Sequence, residues 1–194
     1  MSCNNLTKCL ISNPCPTPAG INGRVWIGMI ADIDTTTLTF GTDGDVTAFG
    51  LNSGASLKKF VSRRYKQTAR HENVKGENGR VTYNHFVDLV HYINNQEDVA
   101  ALEELNEAED LFCIVQLNSG KVKVYGLGRP DVSGYGLSGG EGGQTEGVAI
   151  GDDNTDKTTL SGELPNKPMF YKPSASLASI ISELDVLTDC GNNS

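Results

Sequence analysis

Asn78-Gly79 stands between two long runs rich in β-branched and aromatic residues. Glycine, and asparagine nearly as well, accepts the positive φ that a two-residue hairpin turn demands. The dipeptide therefore predicts a β-hairpin with arms over 57–75 and 80–93. Each arm exceeds the ~5–6 residues of a usual strand, so this hairpin is expected to project beyond a compact sandwich. With a two-residue turn, His71 faces Phe86 and points away from the face that carries His85.

Short β-rich runs bounded by turn residues recur along the chain. Strands are expected over 25–31, 35–40, 46–50, 111–117, 121–128 and 158–164, with Ser119-Gly120 closing a second hairpin. Two segments change period. Val99, Leu102, Leu105 and Ala108 repeat at helical spacing. Asn95 suits the N-cap, and Glu97 and Asp98 suit the first turn. A helix is expected over 96–110. Leu177, Ile180, Ile181, Leu184 and Leu187 share one helical face after Ser174, which predicts a last helix over 175–187.

Ten glycines in the 26 residues 126–151 read as a loop. Pro14, Pro16 and Pro18 break regular structure near the start. The expected fold is mainly β: an antiparallel β-sandwich or barrel of seven or eight strands, with a long projecting hairpin, one mid-chain helix and one C-terminal helix. The expected organisation is an extended arm over 1–23, a sandwich domain over 24–173, and a helix with a tail over 174–194.

The 194 residues are enough to bury one core, and the net charge of -8 opposes binding to phosphate backbones and anionic membranes. The longest apolar stretch, 25–31, is far shorter than the ~20 residues of a membrane span. A location in the cytoplasm, or in a particle made there, is expected. The five cysteines, Cys3, Cys9, Cys15, Cys113 and Cys190, include no CxxC pair and read as free thiols.

Two motifs resemble ligand sites. Residues 134–139 spell GxGxxG, but Glu141 and further glycines follow where a dinucleotide site opens a helix. Asp152, Asn154, Asp156 and Glu163 match an EF-hand loop, but Lys157 stands at the glycine position. Both read as loop and turn chemistry. His71, His85 and His91 form no expected metal site. There is no GxSxG, HExxH or GxxxxGK[ST]. No catalytic residue, metal or cofactor is assigned, and an enzyme is not expected.

Charge segregation is the most informative pattern. Residues 58–75 hold seven Lys and Arg: Lys58, Lys59, Arg63, Arg64, Lys66, Arg70 and Lys75. Residues 97–110 hold seven acids and no base, among them Glu103, Glu104 and Glu107. Two solvated faces, or contact within one subunit, would explain this. So would complementary faces on identical subunits, a heterologous contact that closes rings or builds tubes.

The order of features also carries a resemblance. A Pro/Gly-broken arm leads to strands, a charged hairpin, one helix, another hairpin and a glycine-rich stretch. Gly147-Val148-Ala149-Ile150-Gly151, Thr158-Thr159-Leu160-Ser161-Gly162-Glu163 and Pro168-Met169-Phe170-Tyr171 follow. Over 24–171 this resembles phage major tail-tube proteins, which are similar in fold to the tube proteins of contractile injection systems. The resemblance implies a virion subunit that assembles into rings, usually hexamers, stacked into a tube. Its partners would be itself, other tail proteins, and DNA in transit without specific binding; no membrane is implied. A neck ring or connector of a phage, and a β-sandwich ligand-binding module, remain the alternatives.

Overall fold

The computed structural model describes residues 20–61, 66–77, 79–92, 96–129, 134–145, 155–172 and 176–189. Among the described residues eleven strands and two α-helices follow one another, with one turn of 3-10 helix at Ile30–Asp32: β1 Ile21–Met29, β2 Thr39–Phe40, β3 Val46–Ala48, β4 Lys58–Val61, β5 Thr68–Lys75, β6 Val81–Tyr92, α1 Gln96–Glu107, β7 Leu111–Leu117, β8 Val122–Tyr125, β9 Ser138–Thr145, β10 Thr155–Leu164, β11 Met169–Phe170 and α2 Leu177–Val186. One sheet has the order β11-β8-β7-β1-β4 and the other β5-β6-β10-β9, with β2 and β3 as a separate pair. The ladders are antiparallel, so the mainly β, sandwich-like expectation holds. No described helix is long and apolar enough to cross a membrane.

The five-stranded sheet is the middle layer. Its face toward the second sheet contributes Val25, Ile27, Cys113, Val115 and Tyr125 to a core shared with Val87, Leu89 and Leu160. Its other face contributes Trp26, Phe112, Ile114, Val122 and Val124 to a second core, closed by Phe49, Tyr171, Ile180 and Leu184. A strand buried on both faces reads as an unbroken apolar run. This explains Leu111 through Val115. Burial also pushes the thiol pKa of Cys113 up, leaving an inert core residue. The other four cysteines lie outside the described residues.

The last helix starts later than expected: Ser176, not Ser174, caps it, accepting from Ser179 N at 3.3 Å. Ile180 and Leu184 are buried, and each contributes roughly 1.5–3 kcal/mol. The helix thus belongs to the domain's own core. At the other end β1 begins at Ile21, so 21–23 belong to the sheet; residues 1–19 lie outside the described ones.

The expected long hairpin divides. Lys58–Val61 pairs with β1 in the five-stranded sheet, and the chain then crosses to the other sheet to form β5. Phe60, beside Val25 in register, packs into the core between the sheets, which favours this crossing. The true hairpin is β5–β6. Gly76 N donates to Arg80 O and Gly79 N to Gly76 O, so the loop is longer than two residues. The register moves by one, and His71 faces His85 rather than Phe86. Because β10 pairs with β6 up to Tyr83, only the hairpin's tip projects.

Other boundaries also differ. The 35–40 run forms a strand only at Thr39–Phe40, because the Asp34 carboxylate accepts from Thr36 N and folds the start into a turn. The 46–50 and 121–128 runs shorten to β3 and β8; Gly126, at φ 82, ends β8. The 158–164 strand begins at Thr155. Helix α1 stops at Glu107, and Asp110 turns the chain at φ 55; Asn95 lies outside the described residues.

The largest correction concerns the glycine-rich stretch. Ser138–Thr145 is an edge strand paired with β10. Glycine permits the fit. Near Gly139 the backbone of Leu105 and Asn106 in α1 leaves no room for a Cβ, and Gly162 likewise abuts the Gly136 carbonyl.

Candidate assembly surfaces

The four-stranded sheet has two unlike edges. At one edge β5 pairs with β6 alone among the described residues. At the other, α1 packs along β9. Glu103, Glu104 and Glu107 are exposed on α1, and no basic residue stands in its last turn. Acids at a helix C-terminus meet the negative end of the helix dipole, which costs a few tenths of a kcal/mol each. This helix therefore carries negative potential that its own last turn does not offset.

Three residues of the basic segment read from the sequence make contacts within the fold. Lys59 Nζ lies 2.7 Å from Asp185 Oδ1 and 5.8 Å from the centroid of the Trp26 ring. Lys58 Nζ donates to Asp189 O at 3.2 Å. Arg70 pairs with Asp88 at 2.9 Å and with Glu72 at 3.6 Å, and stacks over Phe86. Lys66 is exposed at the entrance to β5. Arg63 and Arg64 lie outside the described residues.

Asp88 sits nearly buried on the outer face of the four-stranded sheet, beside Thr68 on β5 and Thr159 on β10. Burial works against its carboxylate. The hydroxyls of Thr68 and Thr159 and the charges of Lys157 and Arg70 outweigh this and hold its pKa below the ordinary value. The group ties three strands together.

His85 is a core residue. Its Nδ1 accepts from Gly126 N at 3.2 Å and its Nε2 donates to Asn166 O at 2.8 Å, which fixes the neutral tautomer. Burial lowers its pKa to about 4.

A different basic surface emerges at the β8–β11 edge, from residues far apart in sequence. Lys123 pairs in register with Phe170, and Lys121, Lys123 and Lys172 hold their ammonium groups 5.5, 4.9 and 5.7 Å from its ring centroid. Lys167 lies 5.7 Å from the Tyr83 ring, which is next to His71. Burial, then Lys121 and Lys167, lower the pKa of Lys123. Burial, then Lys123 and Lys167, lower that of His71. These cations therefore lie close enough to repel one another. The described ion pairs give Lys172 a carboxylate, Asp45 at 3.7 Å, and give Lys121, Lys123 and Lys167 none.

Helix α1 and Lys121 are at opposite ends of β7, while Lys123 pairs with Val115 and Lys167 lies toward the Leu127 end. Helix α1 runs through 108–110 into Leu111. At the far end Leu117 N donates to Lys121 O. The strand between them spans roughly 20 Å at ~3.3 Å per residue.

The motifs of uncertain meaning resolve into backbone structure. The GxGxxG run leads into β9, a strand, so no helix N-terminus faces a pyrophosphate. Asp156 and Glu163 lie on β10, while Asp152 and Asn154 lie outside the described residues. His71 and His85 meet, but no group of three or more His, Cys, Asp or Glu able to hold a metal occurs among the described residues. No protein-family model, curated protein or solved structure matches the chain.

Proposed function

We propose that this chain is a structural subunit that assembles with copies of itself, as the resemblance to tail-tube proteins implies, into rings stacked as a tube. One observation carries this reading: among the described residues β5 pairs on one side only, and the opposite edge of the same sheet is clad by an acidic helix. An open edge is a template for another chain. A molecule with unlike edges joins head to tail, and such contacts close into rings or continue as tubes. In a tube the net charge of -8 suits the passage of DNA, since an acidic wall repels the phosphate backbone and does not hold it. Its place would then be a virion tail.

Sedimentation velocity over a concentration series tests the reading. Discrete species well above the monomer, growing with concentration, are expected. A single monomer boundary at every concentration and ionic strength would overturn it.

A further inference from the structure

The lysine–aromatic surface has an identifiable occupant. We propose that the surface formed by Lys121, Lys123 and Lys167 around Phe170 and Tyr83 receives the acidic helix α1 of a second copy of this chain. The inference rests on the self-assembly reading and specifies which faces meet.

Three observations argue for this partner. First, the cations converge. Lys121 and Lys123 flank Phe170, and Lys167 approaches from the Tyr83 side. Such a group is held together by the fold against its own repulsion, and an anionic partner relieves that repulsion. Second, the same chain displays the complement. Glu103, Glu104 and Glu107 are exposed near a helix C-terminus that lacks a basic residue. Third, the lysines adjoin the β5 edge through Tyr83 and His71, whereas α1 packs along β9 at the opposite edge of the same sheet, so two copies joined head to tail bring the two surfaces together. His71 on β5, an edge strand among the described residues, adjoins the lysines through Tyr83. A helix seated there would bring its own β9 side toward that edge. A nucleic acid would offer the lysines phosphates, but the acidity of the whole molecule opposes its approach, while the helix arrives on a surface made to the opposite pattern.

The test is a charge swap with complementation. One variant carries Lys121→Glu, Lys123→Glu and Lys167→Glu; the other carries Glu103→Lys, Glu104→Lys and Glu107→Lys. Thermal melts of each variant establish that it folds. Sedimentation velocity then compares wild type, each variant alone, and their 1:1 mixture. Each variant alone should lose assembly, and the mixture should regain it, because each lysine-bearing face again meets a glutamate-bearing one. The mixture's assembly should weaken as salt rises. Wild-type assembly with both variants assembling equally well would overturn this inference and leave self-assembly standing. Wild type and mixture both remaining monomeric would overturn both. A mixture no better than either variant, together with wild-type binding to a short single-stranded or duplex DNA that the triple Lys→Glu variant loses, would assign the surface to nucleic acid instead.

Discussion

The indole Nε1 of Trp26 donates a 3.0 Å hydrogen bond to Oδ1 of Asp185. The same carboxylate oxygen meets Lys59 at 2.7 Å. One atom on the last helix thus joins β1 and β4, and Leu57 N reinforces the junction by donating to Leu187 O. The C-terminal helix is thereby fixed to the middle sheet by polar contacts as well as by Ile180 and Leu184.

Removing the Asp185 carboxylate should loosen that helix. Asp185→Ala leaves a buried indole N–H without its acceptor, a loss of about 1–2 kcal/mol. Trp26 is the single tryptophan, so its fluorescence reports on this junction. Urea unfolding followed at the tryptophan should show an earlier midpoint, and Asp185→Asn should recover much of the difference through its amide oxygen. An unchanged midpoint for Asp185→Ala would refute the role.

Stability should fall as the solution is acidified from about pH 6.5 to pH 4. The reference pKa of a histidine is about 6.5, while His85 in the fold stays neutral down to about 4. Between these values the unfolded chain binds the extra proton and the folded chain does not, so lowering the pH favours unfolding. A shift of this size corresponds to on the order of 3 kcal/mol. His71, also lowered, acts in the same direction, and Asp88 adds a further loss as pH falls through and below its unfolded pKa of ~3.8. Urea midpoints at stepped pH measure the slope. His85→Gln should flatten it, and an equally steep slope in that variant would contradict the assignment.

Gly162→Ala should be among the most damaging small substitutions. A methyl group there runs into the Gly136 carbonyl, which is backbone and cannot rotate away. A loss of about 2 kcal/mol or more is expected. A thermal melt of the variant checks it, and a Tm within a degree of wild type would show that the backbone at Gly136 does not pack against β10 as described.

The cations fall into two functional groups, which charge reversal should separate. Lys59→Glu sets like charges against Asp185 and should lower the Tm of the monomer. Lys121 is exposed, so Lys121→Glu should leave monomer stability within about 0.5 kcal/mol while weakening assembly. Melts at dilute concentration, paired with sedimentation at high concentration, compare the two. The reverse pattern would mean that the basic run at 58–75 is the contact face after all.

What the sequence disclosed depended on whether the decisive partners were local. The run at Leu111 through Val115 was legible because full burial leaves a continuous apolar signature. The face of the last helix was legible because Leu177, Ile180, Ile181, Leu184 and Leu187 already share one side. Strand β9 was not, since glycine and serine carry no strand signal and its conformation comes from β10 and α1 beside it. The hairpin was overextended because the crossing between β4 and β5 depends on Phe60 reaching a core built by β1 and β6. The partners of the basic run are equally non-local. Lys59 and Arg70 look like part of a free basic run until Asp185 and Asp88 arrive from elsewhere in the chain. Lys121, Lys123 and Lys167 form no run, and only the pairing of β8 with β11 and the loop before it brings them together.

The most direct test of self-assembly is negative-stain electron microscopy of the purified protein across a concentration series. Head-to-tail association through unlike edges predicts rings with a central opening, stacking into tubes as concentration rises. Single rings that never stack would move the assignment to a neck or connector component. Featureless monomers at every concentration would contradict it.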